Sequence, residues 1–316
     1  MKILKKILSI SISCFFIYLC LKDIPLKNLF NSINFNLNLL IFSIISLFLI
    51  NFLKAARLRL LMKNYKKRQF NFYFRPILLR QFLNTTFFLN AGELLTPITL
   101  KRYFRCSYFE GLSILFFERL IDLTVIAFII GISLLFNDFN LNYKIILIYF
   151  IVYLSLVFSL IFIVNFKKQI FFIPKNIIDN VVSGYNYSIK NKDILWMSLF
   201  FSLVVWVIFI LIDLLIFKAF EITSPISSLS NIIFLTGVMV LSQFIPAAPA
   251  SVGVFNYFII ETIEAFYKAK NLNFDLSIQT ELTSISIIIL LIYILPDITW
   301  GAYVFYKESL QNLKKL

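Results

Sequence analysis

Long apolar runs separated by short polar or basic connections dominate the chain, at 7–21, 37–53, 112–136, 145–164, 194–217 and 285–306. Most approach the ~20 residues that a helix needs to cross the hydrocarbon of a bilayer. The pattern predicts an all-α protein, a polytopic transmembrane helical bundle that forms one domain over 1–316. Three segments interrupt it. Residues 77–95 contain Asn84, Asn90, Gly92 and Glu93, and residues 232–245 and 252–266 flank Pro246 and Pro249. The last two are short for full crossings and predict half-helices around a break. Such backbone survives at membrane depth only where protein or a water-filled cavity satisfies its polar groups. One broken region lies in each half of the chain, as in transporters built from repeats.

Charge orients this pattern. Lys2, Lys5 and Lys6 precede the first run, and no small-residue cleavage site follows it. A retained signal-anchor helix is expected. The stretch 54–80 holds Lys54, Arg57, Arg59, Lys63, Lys66, Lys67, Arg68, Arg75 and Arg80 with no acidic residue, and reads as a cytoplasmic loop by the positive-inside rule. Lys101, Arg102 and Arg105 follow 77–95, so both flanks of that segment are basic and it is expected to re-enter the same face. The stretch 166–193 is again basic, and Lys314 and Lys315 close the chain. Both termini are therefore expected in the cytoplasm, with the protein in the cell (inner) membrane.

Composition agrees. The chain is 60% hydrophobic and only 15% charged, with a mean hydropathy of +0.88, where soluble domains carry about 25% charged residues. The net charge of +14 points to loops facing anionic lipid rather than nucleic acid. There is no His, which removes imidazole bases, His-assisted nucleophiles and imidazole metal sites. Cys14, Cys20 and Cys106 have no metal-ligand spacing. No cofactor or metal is expected.

The sharpest chemistry is Glu118-Arg119-Leu120-Ile121-Asp122 inside an apolar run. Glu118 and Asp122 share a helix face, and Arg119 stands three before Asp122, where it can neutralise it. An ionisable residue at that depth costs at least ~2.5 kcal/mol, so three together argue for use. With Asn90, Gly92, Glu93, Arg102 and Glu261 they are expected to line a headgroup groove, so that Glu118→Gln would leave the fold intact and remove activity. If they pin the helix to a basic partner such as Arg80 or Arg102, it would cost folding instead. A second group runs from Asn90, Gly92 and Glu93 to Lys101 and Arg102, suited to a re-entrant tip whose arginine meets a lipid phosphate. A third, Pro246 and Pro249 to Gly253, is a helix break. Glu261 beyond it is a candidate partner for Arg119, whereas Asp213 and Glu264 read as solvated helix ends.

At these places the chain resembles the family of the lysylphosphatidylglycerol synthase transmembrane region, also called flippase-like. The matching features are Arg57-x-Arg59, Gly92-Glu93 to Arg102, Glu118-Arg119-x-x-Asp122, and Pro246-x-x-Pro249-x-x-x-Gly253. The sequence departs from the family pattern at Ala250 and Ser251, in place of usual glycines, and at Asn256, where a glutamate is common. The resemblance implies a membrane protein that moves or handles a polar lipid, such as an aminoacylated phospholipid or a lipid-linked sugar. No soluble aminoacyl-transferase segment follows in this sequence, so lysyl transfer is not expected. Membrane lipids with anionic or lipid-linked headgroups are the expected partners. Two rivals stay open: a membrane-embedded glycosyl or prenyl transferase, which would want further paired carboxylates, and a non-transporting accessory subunit of a lipid or polysaccharide pathway.

Overall fold

The computed structural model describes residues 2–22, 24, 35–65, 67–87, 90–135, 151, 153, 191–221, 228–243, 245 and 247–313. Among them are nine α-helices: α1 (Lys2–Leu21), α2 (Leu37–Leu61), α3 (Asn71–Thr86), α4 (Ala91–Phe104), α5 (Tyr108–Leu135), α6 (Lys192–Ala219), α7 (Leu229–Ser242), α8 (Val254–Ala269) and α9 (Leu276–Leu313). Nearly all of the apolar run 145–164, most of the basic stretch 166–193, the connection 137–144, Pro246, Lys314 and Lys315 lie outside the described residues.

Local chemistry starts the helices where it should. The Asn36 side chain accepts from the backbone N–H groups of Asn38 and Leu39 at the head of α2, and Asn191 does the same for Ile194 in α6. Helix α5 opens with a reciprocal capping box. The Ser107 N–H donates to Glu110 Oε2 at 2.6 Å, and the Glu110 N–H donates to Ser107 Oγ at 3.2 Å.

Three helices, Leu37–Leu61, Lys192–Ala219 and Leu276–Glu308, are long and apolar enough to cross a membrane. Their outer faces are apolar too. On α6, Trp196, Phe200, Leu203, Val207 and Leu211 are exposed at helical spacing while Ser198, Ser202, Val205, Ile212 and Asp213 are buried behind them. Water does not tolerate so large a bare apolar stripe, whereas lipid does. The chain is a multi-pass membrane protein.

Helices α2 and α6 form the most extensive pairing, tied at one end where the Asn36 N–H donates to the Ala219 carbonyl at 2.8 Å. One apolar core joins α2 and α6 to α7, α8 and α9, and a second joins them to α3, α4 and α5. Helices α3 and α4 make a hairpin. The rings of Tyr73 and Phe104 stack at one end, and at the other the chain turns through Asn90 in the left-handed region (φ 49°). This accords with the broken reading of 77–95 but moves its limits, because α3 begins at Asn71 and α4 runs to Phe104.

Only the middle of the stretch 54–80, between Leu61 and Asn71, is a connection rather than helix. Helix α2 continues to Leu61 and α3 occupies Asn71–Thr86, so Arg57 and Arg80 sit inside helices and are 1% and 3% exposed. Positive charge marked a solvated connection in the sequence, but carboxylates from another helix let these two arginines stay in the packed interior. Likewise the last helix starts at Leu276 rather than near residue 285.

The break between α7 and α8 is present as expected. Its 3-10 turn at Pro249–Ser251 carries Ala250 and Ser251 at φ 57° and 55°, and Gly253 follows at φ 84°. Ala250 and Ser251 thus hold the backbone shape that a glycine there would adopt without a Cβ penalty. The turn is anchored on α1, where the Ala248 N–H donates to Ser13 Oγ at 2.7 Å. A Cβ on Gly253 would lie 2.7 Å from the Ser13 carbonyl oxygen. Gly253→Ala is therefore expected to destabilise the purified protein by about 1–3 kcal/mol, read as a lower melting temperature in detergent. Unchanged melting would mean that α1 does not press on the turn.

Candidate functional site

Helix α5 carries Glu118 and Asp122 on one face. Counted from Tyr108 at 1.5 Å per residue, they lie ~15 and ~21 Å along the helix, near its middle. Charged groups there are tolerated only when paired and hydrogen-bonded. Three other helices supply the partners. From α2, Arg57 Nη1 donates to Asp122 Oδ1 at 2.5 Å and Nη2 to Glu118 Oε1 at 2.7 Å. From α3, Arg80 donates through Nη2 to Glu118 Oε1 at 2.9 Å and through Nη1 to Oε2 at 3.1 Å. From α6, Ser202 Oγ donates to Asp122 Oδ1 at 2.6 Å.

The result is a buried square of two guanidiniums and two carboxylates with no net charge. The Arg80 fork on Glu118 is bidentate, the strongest geometry for this pair. It locks α2, α3, α5 and α6 together. Arg57 Nε is the one buried polar atom of the square without a hydrogen-bond partner.

Arg119 follows Glu118 directly and so points about 100° away from it around the helix. Its side chain is 44% exposed and donates from Nη2 to Glu93 Oε1 at 2.6 Å. Glu93 lies in the first turn of α4, whose N-terminal dipole favours a carboxylate. The hairpin reaches this position because α4 passes very close to α3 at Gly92. A Cβ there would fall on the Arg80 carbonyl oxygen and against Asn84 Oδ1. Asn90, exposed and left-handed, is the hinge residue that turns the chain into α4.

Several pairings differ from those the sequence suggested. Arg119 stands 3.9 Å from Asp122 within the helix, as the spacing suggested, but Arg57 approaches Asp122 more closely, to 2.5 Å. Glu261 is exposed on α8, and the carboxylate that meets Arg119 is Glu93. Arg80 does pin α5, as one sequence alternative held, but Arg102 instead stands 3.8 Å from Glu308 on α9. Asp213 is no solvated end. It is 1% exposed, with Oδ2 standing 2.6 Å from Thr236 Oγ1 and Oδ1 accepting from the Tyr293 hydroxyl at 2.6 Å. Asn256, buried, accepts from the Gly253 N–H and donates to Ser286 Oγ, capping α8.

Arg57, Ser202, Asp213 and Tyr293 are the residues that sequence reasoning missed as partners. A signal existed for Arg57. Ala55, Leu58 and Leu61 continue the apolar face of α2 past residue 53, which should have kept Arg57 inside the helix. The described residues contain no group of three or more His, Cys, Asp or Glu placed to hold a metal ion.

The site therefore has two parts: a closed neutral square that fixes four helices, and a half-exposed Arg119–Glu93 pair beside it. The family model described as the Lysylphosphatidylglycerol synthase TM region matches residues 6–270. No curated protein and no solved structure matches the chain.

Proposed function

Because the chain belongs to the family of the lysylphosphatidylglycerol synthase transmembrane region, we propose that it translocates or handles a polar lipid through a charged groove centred on Arg119 and Glu93. The observation that carries this reading is the part-exposed ion pair between Arg119, near the middle of α5, and Glu93 at the head of α4. Facing hydrocarbon, it would cost several kcal/mol. Lining a groove, it offers a planar fork to a headgroup phosphate and a carboxylate to any ammonium beside it. An aminoacylated phospholipid carries both groups and matches the pair best. A lipid-linked sugar shares the phosphate and would use Arg119 alone. The acyl chains stay in lipid against the apolar outer faces.

The square then serves as scaffold. It holds α5 so that Arg119 meets Glu93, and without a headgroup Glu93 occupies the guanidinium. Asn90, Gly92, Arg102 and the Pro249–Gly253 turn belong to the same reading, as hinge, close-packing, basic flank and helix break. Orientation with both termini and the basic segments in the cytoplasm is part of this proposal. The transferase alternative is weakened because Glu118 and Asp122, the paired carboxylates it needs, are already engaged by arginines.

The test is movement of fluorescently labelled phosphatidylglycerol and its lysyl ester across reconstituted vesicles, scored by chemical quenching from outside. Arg119→Gln should slow movement ~10- to 100-fold, the worth of a charge-assisted hydrogen bond. Glu93→Gln should slow the lysyl ester more than the parent lipid. Both variants should melt within about 1 kcal/mol of wild type, as half-exposed pairs contribute little to stability. Wild-type protein that moves neither lipid faster than empty vesicles would sink the translocase reading.

A further inference from the structure

Asp213 stands apart from the charged square. It lies on α6, 11 residues beyond Ser202 and so about three turns along the same face, ~16 Å away. Its carboxyl is held at a junction of three helices by Thr236 of α7 and Tyr293 of α9. Among the described residues no cation pairs with it. Helix α7 has no ionisable side chain. On α9, Tyr293 touches it and Asp297 follows one turn on. On α2, the ammonium of Lys54 lies over the Phe209 ring, 5.2 Å from its centroid and one turn before Asp213. On α5, Glu118 and Asp122 are bound in the square and Arg119 is paired with Glu93.

The hydrogens can be counted. Thr236 Oγ1 has a single proton, yet it stands 2.6 Å from Asp213 Oδ2 and 2.9 Å from the Ile232 carbonyl oxygen. A neutral carboxylic acid resolves this. Asp213 Oδ2–H donates to Thr236 Oγ1, the Thr236 hydroxyl donates to the Ile232 carbonyl, and the Tyr293 hydroxyl donates to Asp213 Oδ1. Every proton then has an acceptor and no charge is buried. The ionised form would leave a carboxylate in the packed interior with no cation beside it among the described residues, a state that such groups avoid by taking up a proton.

We propose that Asp213, with Thr236 and Tyr293, is a membrane-buried proton-binding site at the root of the half-helix that leads into the Pro249–Gly253 break. Binding forms one O–H bond at Oδ2, and release returns the proton to water and leaves a carboxylate accepting from both hydroxyls. The site needs only proton exchange with water. It stands on the geometry of α6, α7 and α9 and does not depend on the lipid reading, which the vesicle experiment tests separately. Its consequence is that proton occupancy sets the charge against α7, the element that connects α6 to the break.

Infrared spectroscopy of the purified full chain tests it. At mildly acidic pH, above the range where an ordinary aspartate takes up its proton, the wild-type minus Asp213→Asn difference spectrum should contain the C=O stretch of a protonated carboxylic acid. That band should shift in heavy water and disappear on titration to alkaline pH. Tyr293→Phe removes the donor to Oδ1 and should move the band to higher frequency. If Asp213→Asn does not fold, isotope labelling of the aspartate carboxyl carbons with the Tyr293→Phe shift identifies the same group. Carboxylate bands in place of the acid band at mildly acidic pH would overturn the proposal, as would an acid band indifferent to both variants.

Discussion

Glu118→Gln lowers the stability of the purified protein by roughly 3–5 kcal/mol, the cost of leaving a buried charge unpaired. Glu118 is the only acceptor that Arg80 has in the square, and it shares Arg57 with Asp122. With the charge removed, two guanidiniums face one carboxylate in the packed interior, and the amide's own N–H group meets an arginine donor. The loss should appear as a large fall in melting temperature in detergent, together with poor recovery from the membrane. Combining Glu118→Gln with Arg80→Met restores charge balance, because Arg57 and Asp122 remain as a pair, and should return much of the lost stability. Asp122→Asn should destabilise by the same mechanism, releasing Arg57 and Ser202. A Glu118→Gln protein that melts like wild type would show that the square does not hold the bundle. Glu118 and Arg119, adjacent in sequence, thus have opposite expected signatures: loss of fold for the first, loss of function with the fold kept for the second.

Gly92→Ala disrupts the α3–α4 hairpin. The added carbon would occupy the position of the Arg80 carbonyl oxygen, a backbone atom that cannot swing aside as a side chain can. Overpacking of this kind costs typically 1–3 kcal/mol and more when the backbone must move. The displacement also falls on function, since Glu93 is the next residue and Arg80 is the site of the clash. Stability and lipid movement should both fall, in contrast to Glu93→Gln, which should spare stability. Parallel melting and vesicle measurements on the two variants check this. Wild-type behaviour of Gly92→Ala would mean that the two helices do not approach as closely as described.

The membrane class, the helical architecture, the break before α8 and the position of Glu118-Arg119-x-x-Asp122 were legible along the chain. A bilayer imposes length and apolarity on each crossing segment separately, and proline and glycine interrupt a helix through their own backbone geometry. These are local demands, so local sequence carries them. Which charges meet was decided by tertiary structure alone. Arg57 looked like part of a solvated loop and Arg80 was one of two candidate partners until α5 brought two carboxylates to them across 61 and 38 residues of chain. Asp213 looked like a helix end until α7 and α9 closed around it with two hydroxyls. Glu93 rather than Glu261 faces Arg119 because the glycine-permitted contact of α4 with α3 sets where the hairpin tip stands. Ion pairing in a low-dielectric interior depends on the rotation and approach of several helices at once, to within about an ångström, and no spacing along one helix specifies that.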